Sequence, residues 1–122
     1  MKIFIVSTPG ANWKTLMNLL KSNLDEKVRV IHCEPHRPLH GPFPANTLAV
    51  FILVDEMETL VAARKSAWWD STIPLAFVCK NPDYALEAIR LGAAHYLVEP
   101  LTSDDVNEAL QRAYQHKKAA SI

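Results

Sequence analysis

The chain has 122 residues and 13 Lys plus Arg against 13 Asp plus Glu, for a formal net charge of zero. That length suits one domain with roughly two-thirds of its unfolded surface buried, and the neutral balance, with no basic run denser than Lys117-Lys118, lacks the footprint of a nucleic-acid binder. No apolar stretch approaches a membrane span, and Met1-Lys2 leads straight into a short apolar run with no long signal-type region, so a soluble, cytoplasmic protein is expected.

In chain order, the run at 3–6 is too short for a helix and predicts a first strand. Pro9-Gly10 marks a turn, after which Trp13, Leu16, Leu20 and Leu24 recur at helical spacing. A second strand is expected at 28–32. The next segment, EPHRPLHGPFPAN from Glu34 to Asn46, holds Pro35, Pro38, Pro42 and Pro44. Such a segment cannot sustain a continuous helix. The run LAVFILVD gives a third strand at 48–54 and ends on Asp55, where Asp55-Glu56-Met57-Glu58 looks like the first turn of a helix continued by Leu60, Val61 and Trp68. A fourth strand is expected at 73–79. From Pro82 to Gly92 a Pro-Asp start and a closing Gly frame a helix. A fifth strand falls at 95–98, and Thr102 or Ser103 can cap a last helix whose first turn holds Asp104 and Asp105. Short apolar strands alternating with helices are the pattern of a parallel sheet covered on both faces. One domain over 1–118, followed by a tail at 119–122, is the expected organisation.

The stretch IPLAFVCKNPDYALEAIRLGAAHYLVEPLTSDDVNEAL, from Ile73 to Leu110, resembles the second half of the receiver domain of two-component response regulators, with the family's pattern YALEAxxxGAxxYLxKP. The resemblance implies an α/β, flavodoxin-like, doubly wound five-stranded parallel sheet of order 2-1-3-4-5, with the site at the carboxyl ends of the strands. Here the helix between the second and third strands would be missing or replaced by the Pro-rich loop.

A working receiver carries an acidic pair after the first strand, a phosphoacceptor Asp ending the third, a Thr or Ser ending the fourth, and a Lys before the Pro that follows the fifth. In this chain those positions fall on Ser7 and Thr8, Asp55, Cys79 and Glu99, so Asp55 alone keeps the expected type. Phosphoryl transfer to a carboxylate needs a divalent cation held by hard oxygen ligands. Ser7 and Thr8 do not supply that charge, and Glu99 sets a like charge where the family has a cation. The resemblance therefore implies a degenerate receiver that binds no metal and no cofactor and catalyses nothing. Lys80, at a position where the family usually has a small residue, could reach Asp55 or Glu99 and close the pocket by an ion pair; the plainer reading is a solvated side chain.

The remaining candidates are weaker. His32, Cys33, Glu34, His36 and His40 hold zinc-type ligands, but their spacing matches no standard zinc module, and neighbours on a strand point to opposite faces. Cys33 and Cys79 show no CxxC spacing and are not expected to pair. A neighbouring Lys80 would lower the Cys79 thiol pKa, yet the sequence places no His as its base. The Glu99-Pro100 peptide is a cis candidate. Trp68 and Trp69, about 100° apart on a helix, would divide between core and surface. In the family, the face built from the last two helices and the strand between them docks partners or a second copy; its candidates here are Tyr84, Glu87, Arg90, Tyr96, Arg112 and Tyr114, together with Gln115. Three functions stay open: a contact-signalling and dimerising pseudo-receiver, an active phosphoacceptor modified at Asp55, and a small ligand-binding domain of flavodoxin type. Only Gly10, Gly41 and Gly92 are present, which leaves no Gly-rich phosphate loop for the last.

Overall fold

The computed structural model describes residues 1–8, 10–34, 44–54, 73–90 and 95–120. The expected helix after the third strand with its Trp68-Trp69 pair, most of the Pro-rich segment, and Asp55 itself lie outside the described residues.

Five strands, β1 (Lys2–Val6), β2 (Arg29–Cys33), β3 (Thr47–Val54), β4 (Leu75–Cys79) and β5 (His95–Val98), form one parallel sheet of order β2-β1-β3-β4-β5. This is the strand order that the resemblance implies, on the parallel sheet that the alternation of short apolar runs and helical periods predicts. Every residue of β3 and β4 is buried. Strands covered on both faces read as unbroken apolar runs, which is why LAVFILV and LAFVC lack alternation. Their side chains still alternate in space. Ile3, Ile5, Phe51, Leu53, Ala76, Val78 and Leu97 face one core, and Phe4, Val6, Val50, Ile52, Val54, Phe77 and Cys79 face the other.

Among the described residues three helices flank the sheet: α1 (Trp13–Asn23), α2 (Asp83–Arg90) and α3 (Ser103–Ala120). Leu16 and Leu20 of α1, with Val106, Ala109, Leu110 and Ala113 of α3, close the first core. Leu24, expected as the last apolar position of the first helix, is instead its extended C-cap. Tyr84 of α2 packs on the second core. At the start of α2, Asn81 Oδ1 accepts the Asp83 N–H at 3.0 Å, so Pro82 occupies a first-turn position that needs no N–H. At α3 the two capping candidates are resolved: Thr102 Oγ1 accepts the Asp105 N–H and Asp105 Oδ2 accepts the Thr102 N–H, both at 3.2 Å. Ser103 instead exchanges hydrogen bonds with Asn23 and ties α3 to the end of α1. The last helix runs to Ala120, past the boundary expected at 118. No helix among the described residues is long and apolar enough to cross a membrane.

Candidate functional site

Parallel pairing brings the carboxyl ends of the strands to one edge of the sheet. Val6 pairs with Cys33 and Ile52, Val54 with Cys79, and Cys79 with Val98. Lys80 and Glu99 therefore leave the neighbouring strands β4 and β5 side by side, with Glu99 N–H donating to the Cys79 carbonyl at 2.9 Å, while Ser7 leaves β1 on the far side of β3. Asp55 follows Val54 in the chain and lies outside the described residues. The Glu99–Pro100 peptide is cis.

Ser7 is fully buried. Its Oγ donates to the Thr8 carbonyl at 3.0 Å and lies 2.8 Å from His32 Nε2. The imidazole tautomer sets which of Ser7 Oγ and His32 Nε2 donates in this bond. The imidazole in turn stacks on Trp13, the first residue of α1, with ring centroids 4.0 Å apart and planes 6° from parallel. Lys14 Nζ lies 5.9 Å from the Trp13 ring centre. Burial holds the His32 pKa below the ordinary imidazole value, against smaller opposing effects of a hydrogen bond with the Ser7 backbone and of the charge of Glu34. The position that the receiver pattern fills with an acid is thus occupied by a hydroxyl already used on both sides. Sequence reading missed this arrangement: His32 drew attention only as a metal ligand, and its partners are 25 and 19 positions away. Among the described residues no three His, Cys, Asp or Glu side chains gather to hold a metal; His36 and His40 lie outside them.

Cys79 is fully buried on the β4 face opposite α1 and α3. Burial, with a further push from the Glu99 carboxylate, raises its thiol to about 11. This reverses the lowering expected from Lys80, because the Lys80 side chain is exposed while Glu99 is the charge felt by the sulfur. Cys33 is likewise raised to about 11 by burial. Both thiols are free and neither has the character of a nucleophile.

A groove of about 440 Å³ opens beside these strand ends. Asn12, Thr15 and Leu16 from the start of α1 line one side; Lys80 after β4 and Glu99, Pro100 and Leu101 after β5 line the other. A narrow recess under Val54 and Val78 adjoins it and shares Asn12, Lys80 and Glu99. Lys80 and Glu99 face the same groove without pairing: the ion pair found among the described residues is Arg112–Glu108 on the surface of α3. The pocket-closing contact between Lys80 and Glu99 is therefore not made here.

The candidate docking face divides. Arg90 and Tyr96 are exposed, Tyr84 is half-buried, and Leu86, which the sequence reading passed over, is 54% exposed on α2. Glu87 lies in α2, its side chain outside the described residues. Arg112 belongs with β5: its charge, with those of Glu108 and Asp105, acts on His95, whose pKa is lowered chiefly by burial and next by Arg112. Tyr114 is exposed on another side of α3. It stands three helical turns from Ser103, on the stripe that meets Asn23 of α1, and about 200° around α3 from Arg112.

No protein-family model and no curated protein matches the chain. Solved structures do. A response regulator receiver protein from Pseudoalteromonas atlantica superposes with a TM-score of 0.71 at 14% identity, over 96% of this chain and 99% of its own. A response regulator receiver domain protein from Clostridium thermocellum gives 0.70 at 17% identity, over 98% of each chain. A CpaE2 pilus assembly protein from Sinorhizobium meliloti gives 0.62 at 15% identity, over 93% of this chain and 99% of its own. The match in strand order and in nearly complete mutual coverage assigns this chain the fold of response regulator receiver domains.

Proposed function

We propose that the chain is a signalling module of the response regulator receiver kind that works through protein contacts, without an aspartyl phosphate and without catalysing a reaction. The observation that carries this reading is the burial of Ser7. Where a working receiver presents acidic oxygen to a divalent cation, this chain presents a hydroxyl enclosed between His32 and the Thr8 carbonyl. Glu99 adds a carboxylate at the position that receivers fill with a cation, so an acyl phosphate on Asp55 would meet repulsion where it needs neutralisation. Information then passes through the surface of α2, β5 and the β5-facing flank of α3. There Leu86 and Tyr96 supply apolar area while Arg90 and Arg112 supply charge, a mixture suited to a partner protein or a second copy.

Incubation with a small phosphodonor and Mg²⁺, followed by intact mass measurement, tests the reading. The expected result is no added phosphoryl group under conditions that fully label an ordinary receiver; stoichiometric labelling lost in Asp55→Asn would establish the phosphoacceptor alternative instead. Sedimentation of the wild-type chain against Leu86→Asp then reads the contact surface, with self-association expected to weaken in the variant.

A further inference from the structure

The strand β2 is an edge of the sheet, paired with β1 alone. Arg29 N–H donates to the Met1 carbonyl at 3.0 Å, the Cys33 carbonyl accepts the Ser7 N–H at 3.1 Å, and the register between these two ends runs without a shift. Backbone groups alternate in direction along such a ladder. Arg29, Ile31 and Cys33 therefore bond to β1, and the N–H and C=O groups of Val30 and His32 point away from the sheet. Among the described residues nothing bonds to them. Native edge strands are commonly blunted by Pro, Lys or a bulge; the strand RVIHC has none of these, and its charge, Arg29, stands exposed at the first position. Val30, Ile31, His32 and Cys33 are only half-buried, whereas every residue of β3 and β4 is buried, so apolar area along this edge is still open to cover.

We propose that the β2 edge pairs with β2 of a second copy of this chain, antiparallel about a two-fold axis that passes between the two Ile31 residues. An axis normal to the sheet keeps each face on its own side, so only residues that point to the same face meet. The register that overlaps the whole strand sets Ile31 against Ile31 and Val30 against His32 of the other copy. Val30 and His32 then exchange both N–H···O bonds, using the groups that β1 leaves free, and the axis repeats the pair. The Ile31 side chains meet at the closer, non-bonded position and cover each other. Charge favours this direction. Antiparallel pairing sets Glu34 between Lys27 and Arg29 of the other copy, whereas parallel pairing in register would set Arg29 beside Arg29 and Glu34 beside Glu34. The edge lies across the sheet from β5, so this contact is separate from the face of α2, β5 and α3 described above.

Amide hydrogen exchange of the ¹⁵N-labelled full chain at about 50 μM and about 1 mM, a range that spans weak association, tests the pairing. Val30 and His32 are expected to exchange about ten-fold more slowly at the higher concentration, as when about nine-tenths of the chain is paired, while Ile31 and Cys33, bonded to β1, are protected at both. Leu86→Asp, on the other face, should keep this concentration-dependent protection. Added to Leu86→Asp, the change Val30→Pro removes an outward N–H and no bond to β1, and should leave a monomer in sedimentation. A dispersed spectrum is the folding control for that variant; should it not fold, the exchange of the wild-type chain decides alone. The proposal is overturned by exchange at Val30 and His32 that does not change with concentration, by loss of their protection in Leu86→Asp, or by a folded double variant that associates as strongly as Leu86→Asp.

Discussion

Replacing Ser7 by Ala and by Asp separates a residue built into the fold from one that could serve an ion. Ser7→Ala deletes the 2.8 Å bond to His32 and the bond to the Thr8 carbonyl at a fully buried position. The imidazole is only half-buried and can turn toward water, so the cost should be one net hydrogen bond, about 1 kcal/mol. Ser7→Asp restores the residue type of a working receiver, and on a solvent-facing rim it would be almost neutral. At this buried site the carboxylate is desolvated, and above the folded His32 value, where the ring beside it is neutral, a loss of about 3 kcal/mol or more follows. The pH dependence supplies a second reading. An adjacent carboxylate would raise the His32 pKa, so in Ser7→Asp the pair stabilises the fold below the unfolded imidazole value and is lost as pH rises through the folded one. Wild type behaves in the opposite sense. Urea unfolding followed by circular dichroism at about pH 8 and about pH 6 measures both effects. A Ser7→Asp protein within 1 kcal/mol of wild type at the higher pH, the median of exposed contacts, would refute the enclosure of Ser7 and with it the main support for a domain that does not bind Mg²⁺.

Other outcomes follow from the same geometry. His32 and His95 both titrate below the ordinary value of 6.5 in the fold, so the unfolded chain binds more protons there; stability should be fully present above about pH 6.5 and decline as pH falls through the folded values, with a shallower decline in His32→Gln. Cys33 and Cys79, with thiols raised to about 11 by burial, should resist iodoacetamide in the native protein at about pH 8, where only ~0.1% is thiolate, and react together on unfolding; rapid native labelling of Cys79 would contradict its burial. Thr102→Ala should cost about 1 kcal/mol by opening the reciprocal cap of α3, whereas Ser103→Ala, which loses only the exposed tie to Asn23, should cost less; the reverse order in thermal unfolding would put the cap at Ser103.

Short-range physics made much of the fold legible in the chain. Apolar runs of strand length between helical periods imply a parallel sheet enclosed on both faces, and the Thr102 and Pro82 starts mark helices by local hydrogen bonding and a fixed φ. The departures at Ser7, Thr8 and Glu99 are also visible as residue types, since a hydroxyl in place of a carboxylate needs no coordinates to be seen. What no window of sequence contains is the contact between residues brought together by crossovers. Parallel pairing sets β2 beside β1, and only this puts His32 against Ser7 and under Trp13. Burial likewise decides the sign of the Cys79 shift: proximity along the chain favours Lys80, but Lys80 extends to water while the thiol is desolvated near Glu99. Tyr114 differs from Arg112 by two positions in sequence and by about 200° in space, so helical geometry and the tie to α1 separate residues that composition alone would group. The sequence by itself determined which strands form and which charges are missing from the site; tertiary structure decided which groups meet and which remain open, because desolvation and hydrogen bonding depend on neighbours in space.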